Sequence, residues 1–369
     1  MRQYDIVSAD DHIQEPPDTF ITRVPIGLRD RAPRVERAAD GDAWVIDGKR
    51  GLTFGVQFEG GKKFEEYRSK GLTLDDARPG ASNPIERLKD MDLDGVDAEV
   101  LYPNLLTIYL LEDVELQYAC QRAYNDFLSE FCSTDPERLL GLAMIPTDSV
   151  ELGVQEIKRV SGNPGIRGFL LPTFPRREPL NSASFEPIWA AAEAEGLPVH
   201  IHLRTGSRQS DALFSKDKKL FGNELAVLNL GALANYEALS RIIFGGILER
   251  YPKLKFVSTE GNIGWIPYFL ERADRVYKRH RYWAKSDLPL PPSEYFHRQV
   301  LCTFVEDHVG VQVRHLVGID NIMWSADYPH TDTTFPHSRQ YLDEHFQGVP
   351  AAERYQIVCG NAARLYGLS

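Results

Sequence analysis

The chain is poor in cysteine and carries no excess of basic residues. Its four cysteines stand far apart without a CxxC pair, which is typical of reduced thiols rather than a disulfide framework. Lysine and arginine number 42 against 53 aspartates and glutamates, and the net charge of -11 argues against a nucleic-acid or anionic-membrane partner. The N-terminal stretch lacks an apolar signal region, and no apolar run is long enough for a membrane helix. We therefore expect a cytoplasmic, soluble protein.

What the sequence does contain is enough apolar residues, 43%, to bury a large core. Short apolar runs alternate with longer segments of helical period, a pattern that predicts repeated βα units around a parallel sheet. The predicted strands cover residues 5–10, 97–103, 139–146, 165–172, 197–203, 254–260, 300–306 and 321–327. The predicted helices cover about 84–93, 112–133, 148–161, 184–196, 224–250, 262–282, 307–317 and 350–366.

Eight strands alternating with eight helices predict an α/β fold, a (β/α)8 TIM barrel, formed as a single domain by residues 1–369. The alternative is a doubly wound open sheet, but its first turn is normally rich in glycine and "SADDHIQEPP" contains none. Residues 16–83 are rich in Pro, Gly, Arg and Asp, and we predict that they form an insertion over the barrel mouth after strand 1. Within this insertion, "RVERAADGDAWVIDG" predicts a β-hairpin.

Polar side chains gather where the predicted strands end, which is where active sites of such barrels lie. Residues two apart on a strand face the same side, so Asp10 and His12 can point inward together, as can His200 and His202. Burying so many ionisable groups costs several kcal/mol per ion unless a cation compensates. We therefore predict a metal site, with these candidate ligands: Asp10, His12, Glu15, His200, His202, Glu260 and Asp327.

Each candidate has an ordinary structural alternative. A lone histidine near a strand end often makes only structural hydrogen bonds. Glu15 precedes Pro16 and could be a solvated loop residue, and Glu260 could be an acid at the start of the following helix. The metal interpretation is favoured because candidates end four different strands of one barrel.

Five stretches carry a family resemblance: "SADDHIQEPPD", "GLPVHIHLRTG", "FVSTEGNIGWIPYFLERAD", "MWSADYPHTDTTFP" and "GNAARLYGL". Together they resemble the amidohydrolase-related branch of the amidohydrolase superfamily, which includes aminocarboxymuconate-semialdehyde decarboxylase and the resorcylate decarboxylases. The resemblance implies a metal-dependent barrel with a ligand pair on strand one and further ligands on strands five, six and eight. These positions correspond here to Asp10 with His12, His202, Glu260 and Asp327.

The sequence departs from the family pattern at three points. Asp10 and Glu260 stand where the family has histidine, and the strand "GIRGFLLP" offers only Arg167 instead of a lysine that could be carbamylated. A carbamate-bridged site is therefore not expected. The mixed carboxylate and imidazole ligands favour zinc, iron or manganese. The number of ions per chain, one or two, stays open, because one ion does not need His200, Glu15 and His330 in addition to the other ligands.

Two reaction classes fit this site. In the first, the metal activates water for hydrolysis of a small organic acid or amide, with Asp327 as ligand and general base and His200 or His330 as proton donor. Its decarboxylating variant uses the same site, and Arg204 could hold an anionic group of the substrate, unless it is only a loop charge. The alternative is a dinuclear non-heme iron monooxygenase (Fe/Fe or Fe/Mn). An inactive subunit with a structural metal is disfavoured by the full set of acids and histidines.

Three aromatic residues are candidate substrate contacts: Tyr102, Phe174 and Trp265. Trp265 begins an aromatic-rich helical segment, for which core packing or a subunit interface is the alternative. We expect a small-molecule substrate and a homodimer or higher homo-oligomer.

Overall fold

A computed structural model describes residues 2–206 and 222–368. Eight strands form one sheet, in the order β1-β5-β6-β7-β8-β9-β10-β11, and the helices lie between them along the chain. This arrangement confirms the predicted (β/α)8 barrel. The strands are β1 Val7–Ile13, β5 Ala98–Pro103, β6 Leu139–Met144, β7 Ile166–Pro172, β8 Val199–His202, β9 Phe256–Thr259, β10 Val300–Phe304 and β11 Ile322–Trp324.

The two ends of this sheet are joined by the residues that follow β11. The amide of Asp327 donates to the carbonyl of Asp10 at 2.9 Å, and the amide of His12 donates to the carbonyl of Tyr328 at 2.6 Å. The Ser8 hydroxyl accepts from the amide of Ala326 at 2.7 Å. The first strand is thus tied to the segment after the last one, as in a closed barrel.

The helices follow the predicted pattern with local differences. The predicted helix 224–250 is divided into three, because Gly231 and the pair Gly245–Gly246 interrupt it, and Gly246 has a φ of 71°. The helices are α1 Thr19–Arg23, α2 Pro84–Asp94, α3 Val114–Cys132, α4 Val150–Val160, α5 Glu186–Glu195, α6 Asn223–Asn229, α7 Ala232–Phe244, α8 Ile247–Arg250, α9 Ile266–His280, α10 Pro292–Gln299, α11 His308–Gln312, α12 Arg314–Val317, α13 Ser338–His345, α14 Ala351–Tyr355 and α15 Asn361–Tyr366.

The first strand differs from its prediction. It was expected over residues 5–10, but β1 continues to Ile13, so His12 lies within the strand rather than after it. The pairing with β5 shifts by one residue between Ser8 and Asp11, which is the mark of a β-bulge. A bulge re-aims the neighbouring side chains, and here it falls beside Asp10.

The segment 16–83 contains the predicted hairpin and one additional strand. The strands β2 Arg34–Glu36, β3 Ala43–Ile46 and β4 Lys49–Thr53 form an antiparallel sheet. This segment also contacts the loop after β11, where the amide of Gly60 donates to the carbonyl of Pro329 at 2.9 Å. The Tyr67 hydroxyl donates to the carbonyl of Thr331 at 3.0 Å. The insertion is therefore attached to the loop that follows Asp327, and its predicted position over the barrel mouth stays a prediction.

The chain divides into two compact units. The first comprises Met1–Met144, Arg159–Gly168 and Trp324–Ser369, and the second comprises Ile145–Lys158 and Phe169–Met323. The prediction of a single domain over residues 1–369 stays a prediction. Within residues 2–206 and 222–368, no helix is both long and apolar enough to cross a bilayer.

Candidate metal centre

The first unit brings together three predicted site residues whose ligating atoms all lie within 4.8 Å of one another: His12, Asp327 and His330. The distance from Asp327 Oδ1 is 3.6 Å to His12 Nε2 and 3.0 Å to His330 Nδ1. The two imidazole rings stack with centroids 3.9 Å apart. Asp10 Oδ1 lies 3.7 Å from His12 Nε2, so a second carboxylate adjoins the cluster.

Both imidazole rings of this cluster are oriented by acceptors on their far sides. His12 Nδ1 lies 3.2 Å from the carbonyl of Pro103, and His330 Nε2 lies 2.7 Å from Asn104 Oδ1. A neutral ring that donates through these nitrogens presents the lone pair of its other nitrogen to Asp327. Such outer hydrogen bonds fix the tautomer and orientation of metal-binding histidines.

The donor set fits a divalent cation. Asp327 is fully buried, and among the described residues neither of its carboxylate oxygens has a hydrogen-bond donor. A buried carboxylate needs a compensating charge, and two oriented imidazole lone pairs cannot supply it. Two imidazoles with carboxylates form a ligand field that suits zinc, iron or manganese.

Three predicted site residues have left-handed backbone conformations that side chains other than glycine rarely adopt. The φ angles are 56° at Arg204, 58° at Glu260 and 55° at Asp327. Each residue follows the carboxyl end of a different barrel strand: β8, β9 or β11. Residues held in this region cluster at functional sites, where the surrounding structure compensates for the strain.

The second unit holds three of the predicted ligands: His200, His202 and Glu260. His202 Nε2 lies 3.2 Å from Glu260 Oε2, and the Thr173 hydroxyl donates to the carbonyl of His202 at 2.5 Å. Glu260 is positioned through its amide, which donates to the Thr303 hydroxyl at 2.9 Å. His200 is fully buried two residues before His202. An imidazole and a carboxylate thus lie at the adjacent ends of β8 and β9.

Burial determines the charge of His200. Desolvation, with a smaller contribution from His202, lowers the pKa of His200 from 6.5 to about 3. The ring is therefore neutral at neutral pH. A neutral imidazole is suited to bind a metal or to make a hydrogen bond, whereas it cannot act as a cationic acid.

Arg204 lies just past the end of β8 with its guanidinium half-buried. Nη1 donates to the carbonyl of Val227 at 2.9 Å, and no ion pair joins Arg204 to a carboxylate in the described part of the chain. Burial lowers the pKa of Arg204, but an arginine stays charged at neutral pH. Its position is consistent with the predicted binding of an anionic group.

The three aromatic candidates have different surroundings. Tyr102 is fully buried, with its ring centroid 5.8 Å from that of His12. Trp265 packs against Tyr236 and Phe269, which matches the core-packing alternative, and its indole donates to the carbonyl of Gly261 at 2.7 Å. Phe174 is half-buried, and its amide donates to the carbonyl of Thr205 at 3.0 Å. Contact of these residues with a substrate stays a prediction.

Glu15 is buried rather than solvated, so the loop alternative was wrong. The amide of Leu105 donates to Glu15 Oε1 at 3.2 Å, while Oε2 has no hydrogen-bond donor among the described residues. Desolvation outweighs this hydrogen bond and raises the pKa of Glu15 from 4.5 to about 7. Its metal ligation stays a prediction.

The sequence interpretation missed Pro103 and Asn104, which orient the two rings of the cluster. Both directly follow the apolar run "AEVLY" of β5, at the strand end where the other polar residues gather. The expectation that site residues gather where the strands end could therefore have included these two residues.

The fold and the buried ligand cluster define a metal-dependent barrel enzyme. A family model described as amidohydrolase matches residues 22–368, and the chain belongs to this family. The predicted family and the predicted divalent-metal cofactor are confirmed.

The relatives include decarboxylases. The gamma-resorcylate decarboxylase of Polaromonas sp. (strain JS666) is 25% identical over 323 residues, which cover 84% of this chain and 92% of the relative. The crystal structure of 5-carboxyvanillate decarboxylase from Sphingomonas paucimobilis has a TM-score of 0.72 and 23% identity, covering 100% of both chains. A dihydroxybenzoic acid decarboxylase from Polaromonas sp. JS666, solved with bound manganese and the inhibitor 2-nitroresorcinol, has a TM-score of 0.67 and 20% identity, covering 99% of this chain and 98% of the other. All three of these relatives are described as decarboxylases, and none is described as an oxygenase.

We predict that Glu15→Gln stabilises the metal-free protein at high pH only. The folded state keeps a proton on Glu15 up to about pH 7, whereas an ordinary carboxyl releases it near 4.5. Wild-type stability therefore falls as the pH rises through this window, and glutamine removes the loss. The melting temperature of the variant should equal that of the wild type at pH 4 and exceed it by a few degrees at pH 8.

The exposed Glu195→Gln variant is the control, since its melting temperature should match the wild type at both pH values. A Glu15→Gln difference that does not change with pH would contradict the assigned cause.

Proposed function

We propose that this enzyme decarboxylates a small aromatic acid that carries a hydroxyl group beside the carboxylate, using a divalent metal. The observation that carries the proposal is the buried cluster of His12, Asp327 and His330, with Asp327 oxygens that lack hydrogen-bond donors among the described residues. The named decarboxylase relatives support the reaction class.

Within this proposal, His12 and Asp327 would hold the metal, with Asp10 beside them, and His330 is kept for proton transfer. In the second unit, His202 and Glu260 are proposed as metal ligands, because His202 Nε2 lies 3.2 Å from Glu260 Oε2. Manganese is the proposed ion, since the carboxylate-rich ligand set suits it and one related structure contains it. When bound, the ion would supply positive charge to complement the carboxylate and hydroxyl oxygens of the substrate.

Decarboxylation replaces the carboxylate on the ring carbon with a proton. The ring carbon first accepts a proton through a pair of ring electrons, and the carbon–carbon bond then breaks so that its electron pair returns to the ring as CO2 leaves. Asp327 and His330 form the proposed acid–base pair, because His330 Nδ1 lies 3.0 Å from Asp327 Oδ1. His330 retains partial access to solvent, with 19% of its side chain exposed, and can return a proton to the pair. His200, which is neutral, is not assigned the acid role.

Arg204 is proposed to bind an anionic group of the substrate. Its Nη1 donates to the carbonyl of Val227, and among the described residues no carboxylate pairs with its guanidinium, which can bind a substrate carboxylate through two nitrogens. The left-handed backbone at Arg204 fixes the direction in which this side chain leaves β8.

The decisive experiment measures metal content and reaction products of the purified enzyme together. Metal is quantified by mass spectrometry without added ions, and hydroxylated benzoates are incubated with the manganese-loaded enzyme while CO2 release is followed. We expect CO2 and the corresponding phenol, with no oxygen uptake. Hydrolysis of amides or esters without CO2 release would favour the hydrolytic alternative, and two irons with oxygen uptake would favour the oxygenase.

We predict that Asp327→Asn lowers kcat by about 10²- to 10⁴-fold, the usual effect of removing an acid–base group. Asparagine tolerates the left-handed backbone at this position and keeps the side-chain shape, so the fold should be preserved. The measurement is the rate of CO2 release at saturating substrate, with folding checked by circular dichroism.

The matched control is Asp320→Asn, an exposed aspartate at the other end of β11, which should keep wild-type kcat. An Asp327→Asn enzyme with wild-type kcat would overturn the role assigned to Asp327.

We predict that Arg204→Gln raises KM by about 10- to 100-fold, which corresponds to the loss of a hydrogen bond to a charged group. The KM of Arg204→Lys should lie between those of the wild type and Arg204→Gln, because lysine keeps the charge but cannot bind a carboxylate through two nitrogens. The exposed Arg177→Gln serves as control and should keep the wild-type KM. An unchanged KM in Arg204→Gln would assign Arg204 to the loop-charge alternative.

A further inference from the structure

An arginine with no exposed surface lies behind the ligand cluster of the first unit. Arg87 is on α2, and its side chain is 0% exposed. Arg87 Nε donates to Glu99 Oε2 at 2.5 Å, which pairs its charge with a carboxylate on β5. Burying a guanidinium requires such pairing, but pairing alone does not explain where its other nitrogens point.

The remaining donors of Arg87 reach two separate segments of the chain. Nη2 donates to the carbonyl of His12 at 2.9 Å, and Nη1 donates to the carbonyl of Gly80 at 3.2 Å. The flat face of the guanidinium lies over the ring of Tyr328, with the central carbon 4.4 Å from the ring centroid. Arg87 therefore contacts the backbone of His12 itself and the side chain of the residue next to Asp327.

Tyr328 is held on its other sides as well. Its amide donates to Asp11 Oδ1 at 2.9 Å, and its hydroxyl donates to Asp90 Oδ2 at 2.6 Å. Asp90 is in turn bound by Arg78 through Nη2 at 2.5 Å. The residue after Asp327 is thus fixed at its backbone, its ring face and its hydroxyl.

We infer that Arg87 is a positioning residue that sets the separation between His12 and Asp327. The inference rests on the metal assignment within the proposed function, and it assigns Arg87 no contact with the metal or the substrate. Its guanidinium connects the carbonyl of one ligand to the neighbour of the other, so the metal site is organised before the ion binds.

Only arginine can make these contacts simultaneously. Its planar fork directs hydrogen bonds to Glu99, Gly80 and His12 in one plane, and its face remains available to Tyr328. A lysine keeps the charge beside Glu99, but it cannot also bind the two carbonyls and lie flat on the ring. Arg87→Lys therefore removes the positioning while it keeps the buried charge paired.

The test compares cobalt binding by the metal-free wild type, Arg87→Lys and Arg138→Lys. Arg138 is a suitable control, because it also binds a carboxylate, Asp92, and two backbone carbonyls, those of Val96 and Asp97, before β5 and away from the cluster. Cobalt affinity is measured by titration, and the visible absorption of bound cobalt reports the arrangement of the ligands.

We expect Arg87→Lys to bind cobalt about 10- to 100-fold more weakly than the wild type, with an altered visible spectrum. Arg138→Lys should keep the wild-type affinity and spectrum, even if its melting temperature falls. Equal affinity and spectrum in Arg87→Lys and the wild type would overturn the inference. A comparable loss of affinity in Arg138→Lys would do the same, since the effect would then be general destabilisation.

If Arg87→Lys does not fold, Glu99→Gln is the second variant, because the glutamine side-chain oxygen can still accept from Arg87 Nε while the charge pairing with β5 is lost. We expect an intermediate loss of cobalt affinity, and an unchanged affinity would overturn the inference. Cobalt binding does not depend on the substrate, so the inference survives if no aromatic acid is decarboxylated. A wild-type chain that binds no divalent metal would overturn both the proposed function and the role of Arg87.

Discussion

The site depends on the hydrogen bonds that join β1 to the segment after β11. The amide of Asp327 donates to the carbonyl of Asp10, and that of His12 to the carbonyl of Tyr328. These two bonds bring residues that are more than three hundred positions apart in the sequence into one cluster. The left-handed backbone at Asp327 turns the chain at this point, so that His330 returns to the same carboxylate. The hydrogen bonds that join the first strand to the segment after the last one therefore also bring the clustered side chains together.

The barrel could be predicted from the sequence because its strands are buried on both sides and appear as short apolar runs. All eight predicted strands are present. The boundaries of β1 were less accurate, because its polar residues Asp10, Asp11 and His12 look like a strand end although the strand continues to Ile13. The separate helices between 223 and 250 were joined in the prediction, since single glycines do not always interrupt a helical pattern.

The clustered residues His12, Asp327 and His330 could be singled out because metal-binding residue types stand at strand ends, whereas the residues that orient them could not. Asn104 and Arg87 are ordinary polar residues in the sequence, and only the three-dimensional structure shows that they face His330 and the carbonyl of His12. The burial of Glu15 could not be predicted either, because its position before a proline suggested solvent exposure. Hydrogen bonds between distant segments leave no periodic pattern in a sequence.

The insertion is attached to the loop after β11 through Gly60 and Tyr67. The clustered residues His12, Asp327 and His330 all lie outside the insertion, and the insertion contacts the loop after β11 two and four residues beyond Asp327. The insertion can thus shape the loop after Asp327 without contributing a side chain to this cluster.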